Sequence, residues 1–245
     1  MNEVCQDLAD CCAAAVEVLR IEVDRQFGVA LVGLRNSYHI GRIGHWGEQA
    51  AAAGMVSIHF VNVAGHEPMV APYGGATGRF GTNPVCISIP ATDGGDPSVL
   101  LDMATSTIAL GKTRIAKNKG EPVAEGTLLD ARGRLTPDPN VMWGEGPTGA
   151  LVAMGDHKGS GLALMAEILG AALIGGRTID DGEPDGSIIN SMLSIIIDPQ
   201  QVAGSDLAAG ARRLVDYTKQ SANREDFSEV LVPGEPEARA RKARA

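Results

Sequence analysis

Aromatic residues make up only 4% of this 245-residue chain. A core must therefore be built from Ala, Val, Ile, Leu and Gly, and a hydrophobic content of 44% is enough to fill one. Concentrated positive charge is also missing. The formal net charge is −9, and basic residues stay scattered until the short run Arg239, Arg241, Lys242, Arg244. A nucleic-acid surface needs a focused positive field, so no nucleic-acid partner is expected, and the basic end reads as a solvated tail. A small anionic substrate needs only one or two local cations, so the acidic balance leaves that class open. No stretch approaches the roughly 20 apolar residues of a membrane span. Residues 1–20 contain acidic side chains and no continuous apolar run, unlike a secretory signal. The four cysteines, Cys5, Cys11, Cys12 and Cys86, lack C-x-x-C or zinc-ligand spacing. They read as small buried thiols in a reduced compartment, and the expected setting is the cytoplasm, away from membranes.

Glycine is what the chain has in plenty, with 31 residues, which points to many tight turns and close backbone approaches. Apolar spacing predicts a helix over residues 3–26, a strand over 29–34 and a helix over 43–53 that stops at Gly54. Strands are expected at 55–61, 85–89 and 99–101. A helix over 105–117 would be capped by Thr105 or Ser106. Residues 120–155 are rich in Gly, Pro and Asp and read as a long surface or site-covering connection. Residues 159–173 are apolar nearly all round and predict a buried helix. A buried strand at 192–197 and an amphipathic helix from Ser205 to about Gln220 complete the pattern. The order of elements suits an α/β or α+β unit over 1–245, with no internal boundary.

The usual dinucleotide fingerprint is absent. The nearest approach to G-x-G-x-x-G is Gly41-Arg42-Ile43-Gly44 with Gly47 beyond it, and His39 stands where the turn should begin. A chain that binds NAD(P) without this fingerprint needs another scaffold.

Several blocks occur in a telling order. They are Asn36-Ser37-Tyr38-His39-Ile40-Gly41 with Gly44, then Val70-Ala71-Pro72-Tyr73-Gly74-Gly75 running on to Gly81-Thr82-Asn83-Pro84. Next come Leu101-Asp102-Met103-Ala104-Thr105 and Gly155-Asp156-His157-Lys158-Gly159-Ser160-Gly161-Leu162. Ser191-Met192-Leu193-Ser194 leading to Asp198-Pro199, and a late Pro233-Gly234-Glu235, close the series. In this order the blocks resemble the malate/L-lactate dehydrogenase family, which also includes ureidoglycolate dehydrogenases and piperideine-2-carboxylate reductases. The resemblance implies a non-Rossmann NAD(P)-binding fold with a mixed β-sheet flanked by helices, normally in a homodimer. It implies NAD or NADP as cofactor and a small 2-hydroxy, 2-oxo or imino acid as substrate. Position by position, His39 matches the catalytic acid/base. Asp102, Met103 and Ala104 match a cofactor-binding block, as do Lys158 and Gly159, while Thr82, Asn83 and Pro84 match a segment near the nicotinamide and substrate.

The residue types suit the implied chemistry. Reduction of a 2-oxo acid puts hydride on carbon and a proton on oxygen, and histidine exchanges protons near neutral pH. Asp102 can hydrogen-bond ribose hydroxyls, and Lys158 beside glycines at a helix start can hold a phosphate. Without the surrounding blocks, His39 would read as structural, Asp102 as a strand-end cap and Lys158 as solvated; His45, His59 and His66 keep the structural reading. The resemblance further implies a helical region ahead of residue 1, carrying an arginine for the substrate carboxylate, and no motif assigns Arg35, Arg42 or Arg79 to replace it. Two other readings stand beside the enzyme. One is a non-catalytic binding or interaction protein built on the same core. The other is a metal-dependent hydrolase or lyase using His39 and His45, for which the H-x-x-x-H pair is lacking.

Overall fold

The computed structural model describes residues 28–91, 99–143, 149–203 and 206–244. The expected helix over 3–26, the cysteines Cys5, Cys11 and Cys12, and the expected cap Ser205 lie outside these residues.

Five strands make the main sheet: β1 (Val29–Ser37), β2 (Val56–Ala64), β3 (Val85–Ile89), β4 (Val99–Met103) and the long β8 (Ile189–Ile197). Their order is β1-β8-β2-β3-β4 and each pairing is antiparallel. The expected α/β class and helix-flanked sheet are present, but the sheet is antiparallel rather than mixed; among the described residues the one parallel pairing is an isolated bridge between Val70 and Leu151, outside it. Strands β1, β2 and β4 therefore run one way while β3 and β8 run the other. Residues that follow β1, β2 and β4, or precede β3 and β8, gather at one end of the sheet. Most of the blocks singled out in the sequence fall there.

Helix α1 (Gly44–Ala52) covers one face of the sheet. It sits close because Gly47 has no side chain: a Cβ there would lie 2.9 Å from Cys86 Sγ and 3.1 Å from Leu100 Cδ1. Ile40 and Ile43, just before α1, join Val61, Cys86, Leu100 and Met192 in the core beneath it. The strands β1 and β2 run three residues past their predicted ends, since Asn36 and Asn62 are held by side-chain hydrogen bonds that replace what their polarity would otherwise cost.

Helix α3 (His157–Gly170) lies on the other face and departs from its expected full burial. Its small residues Gly159, Ala163, Ala166 and Gly170 face the sheet, together with Glu167. Leu164, Met165 and Ile168 are each more than 40% exposed. The reason is steric: a Cβ on Gly170 would lie 2.7 Å from Phe60 O, so only the small side can approach β2.

Two further expectations are corrected. The helix predicted from Thr105 is α2 (Leu110–Lys119), with no side-chain cap. Thr105 and Ser106 instead tie the chain to other segments, Thr105 N–H donating to Thr82 O (2.9 Å) and Ser106 bridging Ala153. The connection over 120–155 is not structureless. It holds a small antiparallel sheet, β6 (Leu135–Thr136), β5 (Leu128–Leu129) and β7 (Ala150–Leu151), whose Leu128 and Leu151 form a second core with Val70. Two-residue strands carry too little pattern to be read from sequence. Helices α4 (Pro199–Ala203), α5 (Leu207–Lys219) and α6 (Glu235–Lys242) follow β8, with Asp206 capping α5 through Ala209 N–H. Among the described residues, no helix is long and apolar enough to cross a membrane.

Candidate active site

The approach to His39 is set by a break in β1. Asn36 adopts a left-handed conformation (φ 54°), the register against β8 shifts between Leu34 and Ser37, and the chain leaves the sheet. Asn tolerates this region better than most side chains. Its Oδ1 accepts from Arg177 N–H at 2.7 Å and its N–H donates to Ser191 Oγ at 3.1 Å. Ile40, next to His39, is then fixed on both sides. Its N–H donates to Asn190 Oδ1 (3.1 Å), and its carbonyl accepts from Trp46 Nε1 (3.2 Å).

The His39 side chain is exposed, and its Nδ1 accepts from Gly41 N–H at 3.0 Å. A neutral ring with Nδ1 so engaged carries its proton on Nε2, which leaves that N–H as the outward donor.

The other blocks are joined by short backbone links. Thr105 N–H donates to Thr82 O, Met154 N–H to Thr105 O and Gly159 N–H to Met154 O, each at 2.9 Å. Thr82, Asn83 and Pro84, the end of β4 with Asp102, Met103 and Ala104, and the start of α3 with Lys158 and Gly159 are thereby one connected unit. Gly159 is needed because a Cβ there would collide with Met154 O. Lys158 is exposed, and no side chain caps the first turn of α3. Tyr73 in the Ala-Pro-Tyr-Gly-Gly block joins through its N–H, which donates to Ser160 Oγ at 2.9 Å. The late Pro233-Gly234-Glu235 element lies along β4, with Leu100 N–H donating to Pro233 O at 3.2 Å.

Asp102 is already employed. Its Oδ2 accepts from Gly44 N–H (2.8 Å) at the start of α1 and lies 3.5 Å from Arg42 Nη1. This satisfies one of the orphan donors of the helix and complements its dipole. Arg42 also pairs with Glu48, and Glu48 with Arg241 of α6. Arg42 is thus held in an ion-pair network, while Arg79 donates to the neighbouring Gly78 carbonyl. The loop histidine His66 bonds the adjacent Glu67 carbonyl, and His45 bonds Gln49 one helical turn on. His59 is buried inside the sheet between Ser194 and Ser57.

Three non-glycine residues have positive φ among the described residues: Asn36 (54°), Asn83 (32°) and Asp156 (56°). Each belongs to a different block: the one containing His39, the one containing Thr82 and Pro84, and the one containing Lys158 and Gly159. Such conformations cost energy and persist where the surroundings enforce them, which is typical of functional sites.

Sequence reasoning missed the side chains that hold these blocks in place. Asn62, Asn83, Glu167 and Asn190 are all buried and hydrogen-bonded to one another or to the loops of the site. The available signal was a lone polar residue in an apolar run, Asn62 within Phe60–Ala64 and Glu167 within an Ala- and Leu-rich helix. Burial of such groups demands partners, which only the fold identifies.

A sequence pattern described as malate/L-lactate dehydrogenase matches residues 7–245. Hydroxycarboxylate dehydrogenase B of Escherichia coli O157:H7 is 49% identical over 230 residues, covering 92% of this chain and 62% of the relative. L-lactate dehydrogenase of Cupriavidus necator is 42% identical over 227 residues, with coverages of 92% and 64%. The crystal structure of delta1-piperideine-2-carboxylate reductase from Pseudomonas syringae matches with a TM-score of 0.79 at 31% identity, covering 94% of this chain and 67% of that one. The chain spans less than two thirds of the length of these two curated relatives. Its fold, the order of its blocks and a family match over nearly its whole length agree, and the chain belongs to the malate/L-lactate dehydrogenase family.

Proposed function

We propose that the chain carries out nicotinamide-dependent oxidation and reduction of small 2-hydroxy, 2-oxo or cyclic imino acids, with NAD or NADP as cofactor. The observation that carries this reading is that three positive-φ residues fall in three separate blocks, which strand order and backbone hydrogen bonds gather at one end of the sheet. The similar proteins described above, named for hydroxycarboxylate, lactate and piperideine-2-carboxylate, support the substrate class.

The residues present fit a dinucleotide. An exposed Lys158 on an uncapped helix start suits a phosphate, although the exposed Asp156 beside it works against the anion. Among the described residues Asp102 is engaged only through Oδ2, which leaves Oδ1 for a ribose hydroxyl, with Met103 and Ala104 adjoining it. Thr82 and Pro84 would flank the nicotinamide, with the buried Asn83 between them holding the segment through Glu167 and Val63, and Gly159 lets α3 start close to Met154. The cofactor supplies or accepts the hydride. His39 supplies the proton: in reduction, Nδ1 exchanges its contact with Gly41 N–H for a proton from solvent, and Nε2 gives its own proton to the substrate oxygen or nitrogen. In oxidation Nε2 takes that proton back. A homodimer in the cytoplasm belongs to the same reading, and sedimentation equilibrium checks the former.

The test uses thermal stability and turnover together. NADH or NADPH should raise the melting temperature, and pyruvate, oxaloacetate or a cyclic imino acid should drive oxidation of the reduced cofactor. His39→Ala should lower turnover by about 100- to 10,000-fold, the usual contribution of a general acid or base, with nucleotide binding retained. A folded sample that binds neither nucleotide at millimolar concentration overturns the reading. Turnover removes the non-catalytic alternative.

A further inference from the structure

Glu167 is a carboxylate in the last turn of α3, 5% exposed, with no ion-pair partner among the described residues. It is met instead by three N–H donors. Asn83 Nδ2 donates to Oε1 at 2.9 Å, and Asn62 Nδ2 (3.1 Å) and Ile179 N–H (3.3 Å) donate to Oε2. Each donor leads to a different part of the site. Asn83 has φ 32° and lies between Thr82 and Pro84, and its Oδ1 accepts from Val63 N–H at 3.3 Å. Asn62 Oδ1 accepts from Ser191 N–H, and its carbonyl accepts from Asn190 Nδ2, both at 3.0 Å. The Asn190 Oδ1 then holds Ile40 N–H, beside His39. Asn62 Nδ2 also donates to Arg177 O, while Arg177 N–H holds the left-handed Asn36.

We propose that Glu167 is a positioning residue that sets His39 and the segment containing Thr82, Asn83 and Pro84 at once, through this buried amide network. The inference rests on the proposed hydride chemistry only for its consequence in turnover. The physical argument is one of donors and acceptors. Both carboxylate oxygens face N–H groups, and two of the residues held by the network, Asn36 and Asn83, adopt conformations that need enforcement. A neutral amide at position 167 would turn an NH2 group against one of these donors, leaving a buried N–H unpaired. Burial pushes the Glu167 carboxyl up from the ordinary range, while hydrogen bonds from Asn83 and Asn62 work against that shift.

The experiment compares Glu167→Gln with the unaltered chain in two independent ways. In the free protein, nitrogen-resolved NMR should show the His39 ring and the Ile40 and Val63 amides displaced, with Ser57 and Ile196 at the opposite end of the sheet unmoved. In turnover, kcat should fall about 10-fold or more, with the nucleotide KM within about 2-fold. The same substitution placed on His39→Ala should cause a clearly smaller loss, because only the part that passes through Thr82, Asn83 and Pro84 remains. A uniform spectral change, or an equal loss in both backgrounds, overturns the proposal and leaves Glu167 a core residue only. If Glu167→Gln does not fold, Asn190→Ala cuts the same route at Ile40 N–H and must give the His39 and Ile40 displacements; their absence overturns the proposal. Absence of nucleotide binding in the unaltered chain sinks the hydride reading instead, and the NMR comparison separates the two failures.

Discussion

Acidification from about pH 7 to about pH 5 should destabilise this protein chiefly through His59. The ring is 2% exposed, with Nδ1 2.8 Å from Ser194 Oγ and Nε2 2.9 Å from Ser57 Oγ. A neutral imidazole has one donor and one acceptor, which two hydroxyls satisfy without any charge. Burial lowers its pKa from 6.5 to about 4. The sign follows from proton uptake. Below pH 6.5 the unfolded chain binds a proton that the folded state refuses until about pH 4, so stability is present above 6.5 and lost as pH falls. At about 1.4 kcal/mol per pH unit, the loss is about 2 kcal/mol by about pH 5 and about 3 kcal/mol by about pH 4. For a chain of this length, that is a fall in melting temperature of roughly 4–8 °C by about pH 5.

Carboxylates with lowered pKa values, such as Asp181 and Asp185, lose their contribution only below the ordinary carboxylate range, so they do not confuse this window. Glu167 acts in the opposite direction. Its raised pKa means that the folded state gains stability as pH falls through it. Subtraction isolates His59: denaturant unfolding of the unaltered chain and of His59→Gln, each at several pH values, should give curves whose slopes differ by the amounts above. Equal slopes from about pH 7 to about pH 5 refute the argument.

Gly47→Ala should destabilise by about 1–3 kcal/mol, the usual cost of overpacking, because its Cβ would press on Cys86, Ser88 and Leu100; unchanged unfolding would show that α1 can lift without penalty. Cys86 is fully buried and its thiol pKa is pushed up to about 12, mainly by burial and then by the Asp102 charge. Iodoacetamide at mildly alkaline pH should therefore leave Cys86 unmodified in the native protein and label it after denaturation, as read by peptide mass. Native labelling at the rate of a free thiol would contradict that burial.

Some of this was legible from local pattern. The strand at Val85–Ile89 and the helix at Gly44–Ala52 follow from apolar spacing and flanking glycine, which report local geometry. His39, Asp102 and Lys158 stood out because their neighbours form ordered blocks. What stayed hidden depends on partners far away in the chain. Thr105 reads as a helix cap until its N–H and hydroxyl are seen on Thr82 O. The apolar helix α3 reads as buried all round until Phe60 O is seen to admit only its small side.

The sequence by itself determined the family, the block order and the residue types at the site, since these are properties of the chain read in one dimension. The tertiary structure decided how the blocks meet. Antiparallel order β1-β8-β2-β3-β4 brings the residues following β1, β2 and β4 to one end of the sheet. It also converts Asn62, Asn83, Asn190 and Glu167 from isolated polar residues into a connected buried network. The physical reason is that a buried polar group is tolerable only with its hydrogen bonds made, and those partners lie up to 150 residues away.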